Sequence, residues 1–258
     1  VIPDILATAR YGTAGADPVL FIRALPAEVV NPRGADLLIE RLIVRGPARV
    51  SRVHAVGRPA HLPPEFDMAE VAEVYARHIR GRFGRPVAVM GLSTGASVAL
   101  QLAVGHPELV STLVVAAGAA RLSGRGRVIQ RRYASLLAAR DGRASAELAS
   151  ATMNSRMLDP IVRLATRLAP RPDDTESLIS LVSAEDRYDV FDGLHRVSAP
   201  TLVISGGRDV FYPPELGRET ATRLPRATHI VYRERAHGGI PLHPHFAGDI
   251  ADFLAAHR

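Results

Sequence analysis

The apolar run Pro86-Val-Ala-Val-Met90 leads into Gly91-Leu-Ser93-Thr-Gly95, and helical periodicity follows. That order reads as a strand, a sharp turn with a serine at its apex, and a helix. Gly91 and Gly95 stand where a side chain would clash as strand and helix cross. Ser93 would then hold its hydroxyl above the sheet as a nucleophile. The helix behind it would aim N-terminal amides at the same point, where they stabilise a developing negative charge. The five letters Gly-x-Ser-x-Gly are weak alone, and the strand-to-helix setting is what gives them meaning. The competing reading is an inert loop serine in a doubly wound fold.

A serine hydroxyl is a poor nucleophile at neutral pH, so it needs a general base, and the base needs an orienting acid. Two later apolar runs end in suitable groups. Thr201–Ser205 runs into Gly206-Gly-Arg-Asp209, and the run ending near Tyr232 leads into Arg233-Glu-Arg-Ala-His237-Gly-Gly239. The chain order Ser93, Asp209, His237 is that of a triad built at one sheet edge. Asp209 also suits a plain turn former, and His237 an inert surface histidine. The rival acids Asp186 and Asp192 follow no strand. The rival bases His243 and His245 follow Pro241 and precede the last helix.

Those residues need a scaffold that brings strand ends together. Short apolar runs recur at Pro18–Ile22, Ala48–Val53, Pro86–Met90, Ser111–Val115, Pro200–Ser205 and Thr228–Tyr232, with helical patterns between them. Alternating strands and helices predict an α/β fold with a mostly parallel central sheet flanked by helices. Met68–Arg80 reads as a helix with Val71, Val74 and Ile79 inward, and Asn31-Pro-Arg-Gly34 as a turn that starts another. Phe246, Ile250, Phe253 and Leu254 predict a terminal amphipathic helix. Between Arg121 and Asp192 no strand pattern appears. Val128, Tyr133, Leu136/Leu137, then Leu158, Ile161/Val162, Ala165 and Leu168 recur at helical spacing, with Ala169–Asp174 as a turn and helix start. The expectation is a core domain of residues 1–120 and 193–258 with a helical lid inserted at 121–192, or a helical subdomain that only stabilises the sheet.

At 258 residues, 47% hydrophobic and 22% charged, the composition is that of an ordinary globular chain with a sizeable core. The absence of cysteine removes disulfides, thiolate metal sites and cysteine nucleophiles. All 32 basic residues are arginine, which excludes Schiff-base lysines and a Walker-type phosphate loop. The net charge of +6 comes from dispersed arginines; the densest group, Arg121, Arg125, Arg127, Arg131 and Arg132, has one nearby aromatic, Tyr133. No nucleic-acid partner is therefore expected. No apolar run approaches the roughly 18 residues of a membrane span. A soluble cytoplasmic protein without a membrane partner is the expectation, and the start at Val1 leaves a processed N-terminus open.

On Gly91–Gly95, Ser198–Asp209 and Ala236–Gly238 the chain resembles the α/β-hydrolase superfamily, in its capped esterase, lactonase, thioesterase and cofactor-free peroxidase branch. The resemblance covers nearly the whole chain. It implies Ser93 as nucleophile, His237 as base, Asp209 as orienting acid, and an oxyanion hole from the backbone amides of Thr94 and Leu25. It implies no metal and no organic cofactor. The activity implied is hydrolysis of an ester, lactone or thioester of a small-molecule substrate through an acyl-enzyme. Family members usually carry His-Gly and a bulky residue after the strand, where this chain has Arg23-Ala24-Leu25. Three outcomes stay open: a shifted oxyanion hole, Arg23 and Ala24 meeting an anionic substrate, or a salt-bridged Arg23. With a modified oxyanion loop, a binding protein, a pseudoenzyme or a ring-forming catalyst of the same fold is the alternative.

Overall fold

The computed structural model describes residues 6–24, 30–63, 65–155, 160–161, 164, 166 and 174–258. Seven strands form one sheet: β1 (Thr8–Tyr11), β2 (Pro18–Ile22), β3 (Arg52–Val56), β4 (Val87–Leu92), β5 (Val110–Ala116), β6 (Thr201–Gly206) and β7 (Ala227–Tyr232). Their spatial order is β1-β3-β2-β4-β5-β6-β7, with only β1 antiparallel to its neighbour. The strand order reverses between β2 and β4, and crevices at such switch points lie beyond the carboxyl ends of the strands. The loops after β2, β4, β6 and β7 therefore open on one edge.

Period-two alternation sends successive side chains of β2 to opposite faces. Val19 and Phe21 join Met90 and Leu92 of β4 beneath helices α1 (Gly34–Val44) and the C-terminal helix, which contributes Phe246, Ile250 and Leu254. Leu20 and Ile22 face the other way, against Val71, Val74 and Ile79 of Met68–Phe83 and Leu100 of Thr94–Gly105. Asp67 starts the helix Met68–Phe83 with a capping box shared with Glu70, and Gly84 ends it at a φ of 62°. Caps at both ends explain why so short a sequence pattern is sharply bounded.

Two strand expectations change. Ala48–Val53 is not one strand: Pro47–Val50 is a helical turn, α2, and β3 begins at Arg52. Proline at the first helical position presets the backbone for that turn, overriding the alternation of Ala48 and Val50. Strand β1 carried no apolar signal, because its four residues Thr8-Ala-Arg-Tyr11 pair only at the sheet edge.

With Met68–Phe83 as α3 and Thr94–Gly105 as α4, the helices between β5 and β6 are α5 (Gly124–Ala138), α6 (Ala144–Met153) and α7 (Thr175–Arg187). Tyr133, Leu136, Leu137, Ala144, Leu178 and Val182 form a small core of their own. Asp174 caps α7, accepting from the Ser177 amide, and its carboxylate pairs with Arg58 at 3.0 Å. At the foot of this segment Arg121 and Asp189 form an antiparallel bridge, and Val190 N donates to Ala120 O at 3.0 Å. Leu158, Val162, Ala165, Leu168 and Ala169–Pro172 lie outside the described residues. Helix α8 (Pro214–Arg223) links β6 to β7, and α9 (Phe246–Ala256) closes the chain. Among the described residues no helix is long and apolar enough to cross a membrane, and no His, Asp and Glu cluster suits a metal ion.

Candidate active site

Strand β4 turns into α4 through Ser93, whose φ of 56° and ψ of −125° are sparsely populated for a residue with a Cβ. Such a backbone costs roughly 1 to 3 kcal/mol and persists only where its surroundings over-determine it. Here Ser93 N donates to Ala116 O at 2.9 Å, and Ser93 O accepts from Ala96 N at 2.7 Å. The flanking glycines are required by space. A Cβ on Gly91 would sit 2.2 Å from Gly95 O, and one on Gly95 would sit 2.2 Å from Ile22 O. Because α4 starts at Thr94, the amides of Thr94 and Gly95 have no carbonyl one turn back, whereas those of Ala96 and Ser97 are taken up by Ser93 O.

The loops after β6 and β7 bring Asp209 and His237 to the same edge. Ser93 Oγ lies 2.8 Å from His237 Nε2, and His237 Nδ1 lies 2.7 Å from Asp209 Oδ2. The other carboxylate oxygen, Oδ1, accepts from the amides of Phe211 at 2.8 Å and Tyr212 at 3.0 Å. Asp209 is thus held on both oxygens and acts as acceptor to Nδ1–H, leaving Nε2 to accept from the serine hydroxyl. The rings of Phe211 and Tyr212 pack on the imidazole, at centroid distances of 4.9 and 6.0 Å. Burial alone would lower the His237 pKa. The charge and hydrogen bond of Asp209, with the charge of Glu185, outweigh it and raise the value above the ordinary 6.5.

The rivals are engaged elsewhere. Asp186 accepts from Arg131 at 2.7 Å, Asp192 sits in the turn Phe191–Arg196, and His243 stacks on Tyr232 at 3.8 Å. Arg23 is buried, and its guanidinium is held away from any free role: Nε and NH2 reach Glu40 at 2.5 and 3.0 Å, NH2 reaches Asn31 Oδ1, and NH1 reaches Ala7 O. This is the salt-bridged outcome among the three that the sequence left open. Ala24 packs partly buried beside β2, while Leu25 lies outside the described residues.

One group escaped the sequence reading. Glu185 of α7 is fully buried and accepts from Thr94 Oγ1 at 2.9 Å, Ser97 Oγ at 3.0 Å, Gln130 Nε2 at 2.8 Å and Tyr212 OH at 2.7 Å. Its signal was positional: Leu178, Leu181, Val182 and Glu185 follow the helical stripe, so an acid stands where the periodicity points inward. The end of α6 also abuts the site, since a Cβ on Gly238 would meet Thr152 Cγ2 at 2.9 Å. A cavity of about 550 Å³ opens between α5 and α6, lined by Tyr133, Leu148 and Ala151 among others; Ser93 and His237 do not line it.

The model of the Alpha/beta hydrolase family matches residues 20–247, so the chain belongs to that family. A pimeloyl-(acyl-carrier protein) methyl ester esterase of Neisseria meningitidis serogroup A is 28% identical over 78% of this chain and 68% of its own length. The enol-lactonase from Burkholderia xenovorans LB400 superposes with a TM-score of 0.80 at 19% identity, over 97% of this chain and 96% of that one. A thermophilic esterase from Thermogutta terrifontis gives 0.75 at 21% identity, over 98% and 94%. At these identities the two solved structures speak for the fold.

Proposed function

We propose that the protein is a serine hydrolase that cleaves a carboxylic ester of a small organic substrate through an acyl-enzyme. The observation that carries this reading is the Ser93–His237–Asp209 hydrogen-bond chain, at 2.8 and 2.7 Å, at the start of a helix whose Thr94 amide has no carbonyl one turn back. Its relatives include a methyl ester esterase, which suits the same bond class.

In this mechanism His237 Nε2 takes the proton from Ser93 Oγ as the oxygen attacks the ester carbonyl carbon. The imidazolium is stabilised through Nδ1–H by Asp209. Charge moves onto the carbonyl oxygen, which meets the amide of Thr94; the family resemblance implies the Leu25 amide as the second donor. A donor of this kind contributes roughly 3 to 4 kcal/mol to the transition state. The tetrahedral intermediate expels the alkoxide, His237 supplies its proton, and an acyl-Ser93 ester remains. Water then attacks the acyl carbon with His237 again as base, releasing the acid and restoring Ser93. In this reading the insertion between β5 and β6 serves as the lid of the site, because α7 reaches the elbow and α6 reaches the His237 loop.

The test is a serine-directed fluorophosphonate with mapping of the adduct by mass spectrometry, followed by acyl esters of increasing chain length. An adduct on Ser93, absent in Ser93→Ala, is expected. No adduct under conditions that label a control esterase would overturn the hydrolase reading in favour of a protein that only binds.

A further inference from the structure

Glu185 is a buried carboxylate whose four hydrogen-bond donors are all uncharged. Thr94 and Gln130 contact one of its oxygens, Ser97 and Tyr212 the other. Its partners are the neighbours of every member of the triad. Thr94 follows Ser93 and supplies the candidate oxyanion amide. Ser97 sits on the same first turn, its amide bonded to Ser93 O at 3.3 Å. Tyr212 donates its amide to Asp209 and stacks on His237, and its hydroxyl lies 2.9 Å from Ser97 Oγ.

Resting on the serine-hydrolase reading, we propose that Glu185, carried by the insertion rather than the sheet, is a positioning residue of the Ser93 site. Its carboxylate fixes the first turn of α4 and the Tyr212 ring, and its charge, with no cation against it among the described residues, favours the protonated His237 that forms as Ser93 attacks. The charged groups acting on His237 are Asp209, from the loop after β6, and Glu185, from α7. The titratable neighbours of Glu185, Tyr188 and Tyr212, are kept neutral, burial first and the Glu185 charge second holding both phenols well above their ordinary range. A low-dielectric setting leaves such a field largely unscreened. Gln130 Oε1 is buried without a partner, so a glutamine at 185 would find an acceptor for its new N–H₂ by a flip of Gln130.

The experiment compares wild type with Glu185→Gln. The His237 ring is titrated by nitrogen-15 NMR without any substrate, and kcat and KM are measured on an ester across pH. In the variant His237 should titrate about one pH unit lower, a tenfold change in its protonation equilibrium. We expect kcat to fall about tenfold or more while KM stays within about twofold, the pattern of an interaction made in the transition state. Should Glu185→Gln fail to fold, Gln130→Lys places an ammonium against the carboxylate and should lower the His237 titration in the same sense. An unchanged titration in the folded variant, with or without a loss of thermal stability, overturns the proposal. The two readings separate cleanly: failure of wild-type Ser93 to take phosphonate overturns the hydrolase, whereas the NMR titration reads Glu185 alone.

Discussion

Glu40 and Glu185 are both buried carboxylates beside the sheet, and the fold handles them in opposite ways. Glu40, on α1, meets the forked guanidinium of Arg23 at 2.5 and 3.0 Å, with the Tyr11 hydroxyl at 2.6 Å. Glu185 meets two hydroxyls of α4, a phenol and an amide, and among the described residues no formal charge. The first arrangement closes on itself: a bidentate pair cancels most of its own field and works as a rivet at the end of β2. The second exports its charge, because hydrogen bonds satisfy a carboxylate without neutralising it. Ion pairing here serves architecture, and neutral solvation serves the site.

Breaking the rivet should have the largest effect on stability. Arg23→Met leaves Glu40 buried without its cation, and removing one partner of such a pair costs about 3 to 5 kcal/mol. Chemical denaturation should show that loss. The double variant Arg23→Met/Glu40→Met should recover most of it, because an apolar pair of similar volume avoids the desolvation of both charges. The ascending limb of the pH–rate profile should not move in either protein. The contrast also governs any attempt to restore the family's His-Gly at 23 and 24: Arg23→His with Ala24→Gly should destabilise unless Glu40 is changed with them.

A smaller effect, of a different kind, is expected at the other carboxylate. Thr94→Val removes one of its four donors, a change worth about 1 to 3 kcal/mol when a buried acceptor is left short. Unlike Arg23→Met, it should lower kcat per folded molecule, which a burst titration with the phosphonate would normalise. Loss of stability alone, with kcat intact, would erase the distinction between the two glutamates.

The subtlest expectation is in pH. The base must be neutral to act, and the His237 pKa lies above 6.5, so kcat/KM should rise through a value higher than that of a free histidine. The same shift stabilises the fold below the unfolded pKa, and that contribution is lost as pH rises through the folded value. Activity should therefore appear over the window in which this part of the stability disappears. Activity already at its plateau well below pH 6.5 would contradict it.

The juxtaposition of Ser93, Asp209 and His237 was legible because each follows an apolar run, and the parallel sheet brings the ends of such runs to one edge. The stripe of Val71, Val74 and Ile79 made α3 legible from Met68 to Arg80, and the helix runs three residues further, to Phe83, where Gly84 ends it. What could not be read was set by distance in the chain. Arg23 and Glu40 are seventeen residues apart and Thr94 and Glu185 ninety-one, and no spacing rule couples such pairs. An acid on an inward stripe, as at Glu185, looks like an error in amphipathicity until its donors arrive from three other elements. The misplaced start of β3 was a contest between alternation and Pro47, which the proline won.

The insertion leaves and re-enters the sheet side by side, at the Arg121–Asp189 bridge and the Val190–Ala120 hydrogen bond. A segment with joined ends can grow or shrink at little entropic cost, since closure rises only about 0.6 kcal/mol per doubling of length. By that measure the helices between β5 and β6 form an exchangeable cassette, replaceable while the strands stay as they are. Glu185 sets the terms of exchange: any replacement must bring its own acceptor for the hydroxyls of Thr94 and Ser97, or the turn at Ser93 inherits orphaned donors.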